Sequence, residues 1–233
     1  MKEGVHGGTP GSPMPRWATF DCYGTLIDWN GGIGGELARL FGAGPAERLV
    51  GRYHEIEPQV QAEDPAQSYR AVLRRALERL AAAENLVVPH DEADALARSL
   101  PSWTPFREVP AALEEARARG WRLAILSNTD RDLIEASKTR LGVPFDETIV
   151  ASEIGSYKPG HRHWQEFFAR TSADRDRHVH VAASLFHDIA ATRELGLRSV
   201  WVNRLGQEAD PKPTREIVDL ASLPDVLDGL VPA

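Results

Sequence analysis

Apolar residues fall into two rhythms along this 233-residue chain. The first is a set of short apolar runs bounded by Gly, Pro or polar turns, which read as strands. They are Trp17-Ala-Thr-Phe-Asp-Cys, stopping at the turn Tyr23-Gly24-Thr25, then Arg122-Leu-Ala-Ile-Leu, Glu147-Thr-Ile-Val-Ala, His178-Val-His-Val-Ala-Ala and Ser199-Val-Trp-Val. Helical stretches separate them, near Pro110 to Arg119, after Asn128, from His161 to Arg170 and from Asp188 to Leu195, and a last strand-helix pair spans Glu216 to Leu230. The second rhythm fills Gly31 to Pro105. There Leu37, Leu40 and Phe41, then Leu49, Tyr53 and Ile56, then Tyr69, Val72, Leu73, Ala76, Leu77 and Leu80 recur at helical spacing, and no strand interrupts them.

Strand-helix alternation of this kind predicts an α/β fold, a doubly wound parallel sheet with helices on both faces. The all-helical stretch predicts a cap inserted after the first strand. The expected division is a core of residues 16–30 and 106–233, a cap of 31–105, and a disordered leader of 1–15, rich in Gly and Pro and with almost nothing apolar to bury. Doubly wound sheets bind ligands outside the carboxyl ends of their strands, so the residues just after each strand are the candidates for chemistry.

Composition changes this picture little: 42% hydrophobic and 26% charged residues are ordinary for a globular protein. The formal charge of −7 argues against a nucleic-acid partner and leaves any anion site to a few placed groups. A single cysteine, Cys22, rules out an intramolecular disulfide. No apolar run reaches the roughly 18 residues of a membrane span. A cytoplasmic protein with no membrane partner is the expectation.

At the first strand end, alternation sends Cys22 opposite to Asp21 and Tyr23, so Asp21 points into the cleft. Ser127-Asn128 follows the second strand, Lys158-Pro159 the third, and Ser184 and Asp188 the fourth. Each has a bland alternative: a turn-forming aspartate, a helix N-cap, a solvated lysine. Together, Asp-x-x-Gly-Thr-Leu, Ser-Asn, Lys-Pro and a final Asp in that order resemble the four motifs of the haloacid dehalogenase superfamily, over about Trp17 to Arg204. A helical insert behind the first motif is where that superfamily carries its cap.

The resemblance implies a hydrolase in which Asp21 attacks substrate and forms an ester that water cleaves. Most of the superfamily is similar in being Mg²⁺-dependent phosphatases, with a second aspartate two residues beyond the nucleophile and an acidic metal ligand four residues before the last-motif aspartate. Here those positions are Tyr23 and Ser184. A leaving halide needs no general acid, whereas a leaving alkoxide does. The Asp-x-Tyr form looks like the 2-haloacid dehalogenases, which implies a small haloacid substrate and no metal or other cofactor; a Mg²⁺-dependent phosphatase is the alternative, and a homodimer is plausible on the same resemblance.

The same resemblance assigns roles. Thr25 and Ser127 would hold Asp21 and the substrate carboxylate, and Asn128 would contact halide or carboxylate. Lys158 would balance the charge of Asp21, and Asp188 would complete that balance and position the hydrolytic water. Arg52 stands where the family places a cap arginine that reaches substrate and helps receive the halide, with an exposed helix arginine as its bland alternative. Cys22, Tyr23, Trp29, Ser184 and His187 complete the expected pocket, Cys22 as a small filler beside the nucleophile. The fourth motif departs from the family pattern: Leu185 stands where an Asn is expected, and Trp164 where a Tyr is expected beyond Lys158. His187 or His54 could supply what is missing, or be structural.

Overall fold

The computed structural model describes residues 14–233, and residues 1–13 of the expected leader lie outside the described residues. Six strands, β1 Arg16–Phe20, β2 Trp121–Ser127, β3 Glu147–Val150, β4 His178–Ala182, β5 Arg198–Val202 and β6 Arg215–Ile217, form one sheet in the order β3-β2-β1-β4-β5-β6. Every pairing is parallel. β1 is bracketed by β2, with Phe20 opposite Ile125, and by β4, with Phe20 opposite Val181. The chain crosses from one half of the sheet to the other beside β1, so the carboxyl end of β1 is the topological switch point where such sheets open a crevice.

The two faces are built by strand alternation. Leu123 and Ile125 of β2 join a core with Ala18, Phe20, Val179, Val181 and Val200, while Ala124 and Leu126 join a second core with Trp17 and Ile149. Between β1 and β2 the chain forms α1 Trp29–Phe41, α2 Ala46–Glu63, α3 Tyr69–Ala83 and α4 Ala95–Ser99, then α5 Val109–Ala118, which leads into β2. Beyond β2 come α6 Arg131–Leu141, α7 Ala151–Ile154, α8 Arg162–Thr171, α9 Ala190–Glu194 and α10 Leu223–Leu230. α5, α6 and α10 bury apolar residues in the first core, and α8 fills the second with Trp164 and Phe167.

Helices α1 to α4 form the insert, and their stripes (Ile33 and Leu37, Leu49 and Tyr53, Val72 to Leu80) are continuous with the first core. Two start on side-chain caps: Asp28 accepts from Gly31 N at 2.9 Å, and Ser68 from Ala71 N. Gly32 is needed where Trp103 crosses α1, because a Cβ there would stand 2.3 Å from the indole. Asp130, just before α6, sends its two oxygens to Tyr69 N at 2.9 Å and Arg70 N at 3.0 Å. A carboxylate from the sheet side thus sits on the positive end of an insert helix and ties insert to sheet.

Element boundaries shift slightly from those expected. β1 ends at Phe20 instead of Cys22, although Asp21 N still donates to Val181 O at 3.1 Å. The helix expected from Asp188 begins earlier, as a wide turn over Leu185–Ile189 that runs into α9. Among the described residues no helix is long and apolar enough to cross a membrane.

Candidate active site

The turn after β1 is closed by Gly24 N to Ile27 O at 2.8 Å and by Leu26 N to Cys22 O at 2.8 Å. Gly24 occupies φ 86°, a region that a side chain would strain. The turn folds Thr25 back over the nucleophile position: Thr25 Oγ1 donates to Asp21 Oδ2 at 2.8 Å and accepts from Ala183 N at 2.9 Å. The hydroxyl's direction is therefore fixed by the end of β4.

Lys158 arrives from the far side. Its Nζ donates to Asp21 Oδ1 at 2.9 Å, Asp188 Oδ1 at 2.7 Å and Leu126 O at 2.8 Å, using all three ammonium protons. Burial disfavours that charge, but the Asp188 and Asp21 carboxylates more than reverse the effect and hold the ammonium above its usual pKa. Burial pushes the Asp188 carboxyl up, and Lys158 and His180 together outweigh it, so Asp188 lies below the usual carboxylate range. Asp188 Oδ1 also takes His180 Nε2 at 2.9 Å, His180 Nδ1 meets Thr19 Oγ1 at 2.8 Å, and Thr19 Oγ1 meets His178 Nε2 at 2.8 Å. Burial lowers both histidine pKa values. Neutral rings satisfy the chain in one direction only: His178 Nε2–H to Thr19, Thr19 O–H to His180 Nδ1, His180 Nε2–H to Asp188. Two buried histidines thus fix Asp188 from behind.

Asp21 and Asp188 line a cleft of about 930 Å³ together with Ser127, Asn128 and Lys158 on the sheet side and Trp29, His54, Glu57, Gln61 and Tyr69 on the insert side. Of the expected site residues, Asp21, Tyr23, Trp29, Ser127, Asn128, Lys158, Ser184, His187 and Asp188 border this cleft, and Thr25 is buried beneath Asp21. Ser127 Oγ is buried without a protein partner among the described residues. Asn128 is differently placed from the expectation of a free contact. Its Oδ1 accepts from Lys158 N at 2.7 Å, and its Nδ2 donates to Lys158 O at 3.0 Å and Gln61 Oε1 at 3.2 Å. The amide braces the Lys158 backbone and links it to α2. His187 Nδ1 pairs with Ser184 Oγ at 3.1 Å, His54 Nε2 with Asn30 Oδ1 at 2.8 Å, and burial lowers the pKa of both histidines.

Two expectations are corrected. Cys22 is the buried filler that alternation predicts, its side chain fully buried in the first core, and it does not border the cleft as a substrate contact would. Arg52 does not face Asp21 either. It is on the outside of α2, its side chain 45% exposed and paired with Glu55 and, at 3.6 Å, with Glu84. Helical geometry explains why, since the α2 residues that reach the cleft are His54, Glu57, Pro58 and Gln61, and five residues at about 100° each set Arg52 roughly 140° around the helix from Glu57.

Several cleft and supporting residues escaped the sequence reading. Glu57 is 6% exposed, accepts from Gln61 Nε2, and has its carboxyl pushed up to about 7 by burial, with Gln61 and Tyr69 opposing. Its signal was present: a charged residue within the apolar stripe Tyr53, Ile56, Val60. Arg204 lies over the Phe106 ring, pairs with Glu108 at 2.7 Å and donates to Thr25 O at 3.0 Å. His178 and His180 looked like ordinary strand residues.

The donor set does not fit a divalent cation. Among the described residues no group of three or more His, Cys, Asp or Glu is placed to hold a metal. Oδ1 of each of Asp21 and Asp188 already takes a proton of Lys158, and Ser184 offers no charge.

The family model described as haloacid dehalogenase-like hydrolase matches residues 15–196, and the chain belongs to that family. It is 28% identical over 225 residues to (S)-2-haloacid dehalogenase 2 of Pseudomonas sp. strain CBS-3, covering 91% of this chain and 96% of the relative. A solved 2-haloacid dehalogenase from Pseudomonas syringae pv. tomato DC3000 is 30% identical, with a TM-score of 0.63 over 93% of this chain and 99% of that one. The L-2-haloacid dehalogenase of Xanthobacter autotrophicus, solved with chloropropionic acid covalently bound, shares the fold at a TM-score of 0.81 and 19% identity, covering 93% and 99% of the two chains.

Proposed function

We propose that the protein is a hydrolytic dehalogenase converting a small 2-haloacid to the 2-hydroxyacid through an ester on Asp21. The observation that carries this reading is a carboxylate at the cleft wall held between Lys158 and Thr25, with a tyrosine where a phosphatase needs its acid. In the first half-reaction an Asp21 oxygen bonds to the carbon bearing the halogen, the carbon–halogen bond breaks, and halide leaves with the electron pair. In the second, water attacks the Asp21 carboxyl carbon. Lys158 and Thr25 stabilise the oxyanion that forms. Asp188 Oδ2, buried and without a protein partner among the described residues, is the acceptor for the water's proton, which passes to the departing alkoxide. The products are the hydroxyacid, halide and one released proton.

Halide release from chloro-, bromo- and fluoroacetate and from 2-chloropropionate, in metal-free buffer, is the direct measurement. Asp21→Asn is expected to reduce turnover by at least ~10⁴-fold. Absence of halide release from every haloacid, together with Mg²⁺-dependent phosphate release abolished by EDTA, would replace this reading with that of a phosphatase.

A further inference from the structure

If the substrate is a haloacid, the unpartnered Ser127 Oγ can meet its carboxylate on the sheet side, and neither cation bordering the cleft is left unpaired to meet it on the insert side. Lys158 and Arg204 are the Lys and Arg residues that border the cleft among the described residues. Lys158 spends its protons on Asp21, Asp188 and Leu126 O. Arg204 is held by Glu108 and Thr25 O through Nη2, and its Nε is buried without a protein partner among the described residues. Arg52 is on the opposite side of α2, and in its stead the insert presents Glu57, buried against Gln61 and Tyr69. An ionised Glu57 facing a carboxylate would be a like-charge contact in a partly dry pocket, whereas a neutral carboxyl carries a proton that an anion can accept.

We propose that Glu57 binds the substrate carboxylate from the insert side as a neutral hydrogen-bond donor. This rests on the haloacid reading. The carboxyl, pushed up to about 7, keeps its proton in a substantial fraction of molecules near neutral pH, and an anion docked beside it raises the pKa further. Binding at higher pH therefore takes up a proton.

The groups packed around Glu57 do not blur the signal. Tyr53 and His54 on α2, Tyr69 on α3 and Tyr157 after α7 include three tyrosines raised well above their usual range and one histidine lowered below its own, each chiefly by burial. Across the cleft Lys158 is raised and Asp188 lowered, so neither changes charge near neutrality.

Two measurements test it. With 2-chloropropionate, fully ionised throughout, KM of the wild type is expected to stay flat below about pH 7 and then climb toward tenfold per pH unit. Glu57→Gln, which keeps the shape and a donor but cannot ionise, should flatten that profile while kcat stays within about fivefold. Calorimetry of the wild type with propionate at about pH 8, in two buffers of different ionisation enthalpy, should record nearly one proton taken up per ligand bound. A flat wild-type KM profile, no proton uptake, or an ester accumulating on Asp21 in Glu57→Gln would each overturn the proposal, the last in favour of water activation by Glu57. If no haloacid releases halide, the haloacid reading fails; release with a flat KM profile fails this inference alone.

Discussion

The two walls of the cleft settle their charges differently. On the sheet side, Lys158 lies between Asp21 and Asp188, with Thr25 on one carboxylate and His180 on the other, so that charges and hydrogen bonds match group for group. On the insert side, Glu57 has only neutral side chains around it, and burial moves its titration to about 7. Lys158 and Asp188 each keep one charge state near neutrality, while Glu57 changes state there. Reaction machinery is suited to the fixed wall, and substrate discrimination to the adjustable one.

The sharpest way to break that contrast is Lys158→Met. It leaves two carboxylates facing each other in a buried site, and turnover should fall by ~10³-fold or more. The pH dependence of folding should also change. In the wild type the folded-state pKa of Asp188 lies below its unfolded value, so its stabilising contribution is present above the unfolded pKa and is lost as pH falls through the folded one. Without Lys158 the like-charge pair disfavours ionisation, and thermal stability should decline as pH rises from about 4 to 7. A melting temperature that rises with pH in Lys158→Met would show that the ammonium is not what settles this wall.

The same contrast accounts for what could be read from the sequence. Strands with one-residue alternation and a turn glycine fix where Asp21 points, so the sheet side was legible from local pattern, down to Thr25, Lys158 and Asp188 bordering or underlying the cleft. What local pattern missed was the support behind it: His178 and His180 matter because Thr19, two strands' worth of chain away, stands between their rings. The insert side depends on the rotation of α2 about its axis. A one-dimensional offset from the first motif pointed to Arg52, but the apolar stripe sets which face turns inward, and that stripe carries Glu57 and Gln61. Asn128 illustrates a third limit, since nothing in Ser-Asn reveals that both ends of the amide are spent on Lys158 and Gln61.

A smaller effect is expected where the two walls are joined. Asp130 accepts from two α3 backbone amides, and at 6% exposure it does so largely out of water. Asp130→Ala should lower stability by ~1–2 kcal/mol in urea denaturation, with Asp130→Asn, which keeps one acceptor, losing about half as much. Equal values for the two variants would mean that the carboxylate's charge, not its two-point contact, holds the insert in place.

The smallest change is predicted at Arg52. Its pairs with exposed Glu55 and half-buried Glu84 are surface contacts of a kind that contributes ~0–1 kcal/mol, and no part of the residue borders the cleft. Arg52→Ala should therefore leave KM for 2-chloropropionate within about twofold of the wild type. The result discriminates because the alternative requires movement: for Arg52 to reach substrate, α2 would have to rotate by roughly 140°, withdrawing Glu57 and Gln61 and breaking the Gln61–Asn128 hydrogen bond. A KM raised tenfold or more in Arg52→Ala, with kcat and stability intact, would indicate that substrate binding rearranges the insert so that a guanidinium, not Glu57, meets the carboxylate. Combining Arg52→Ala with Glu57→Gln then separates the two, since independent residues give additive losses and alternating ones do not.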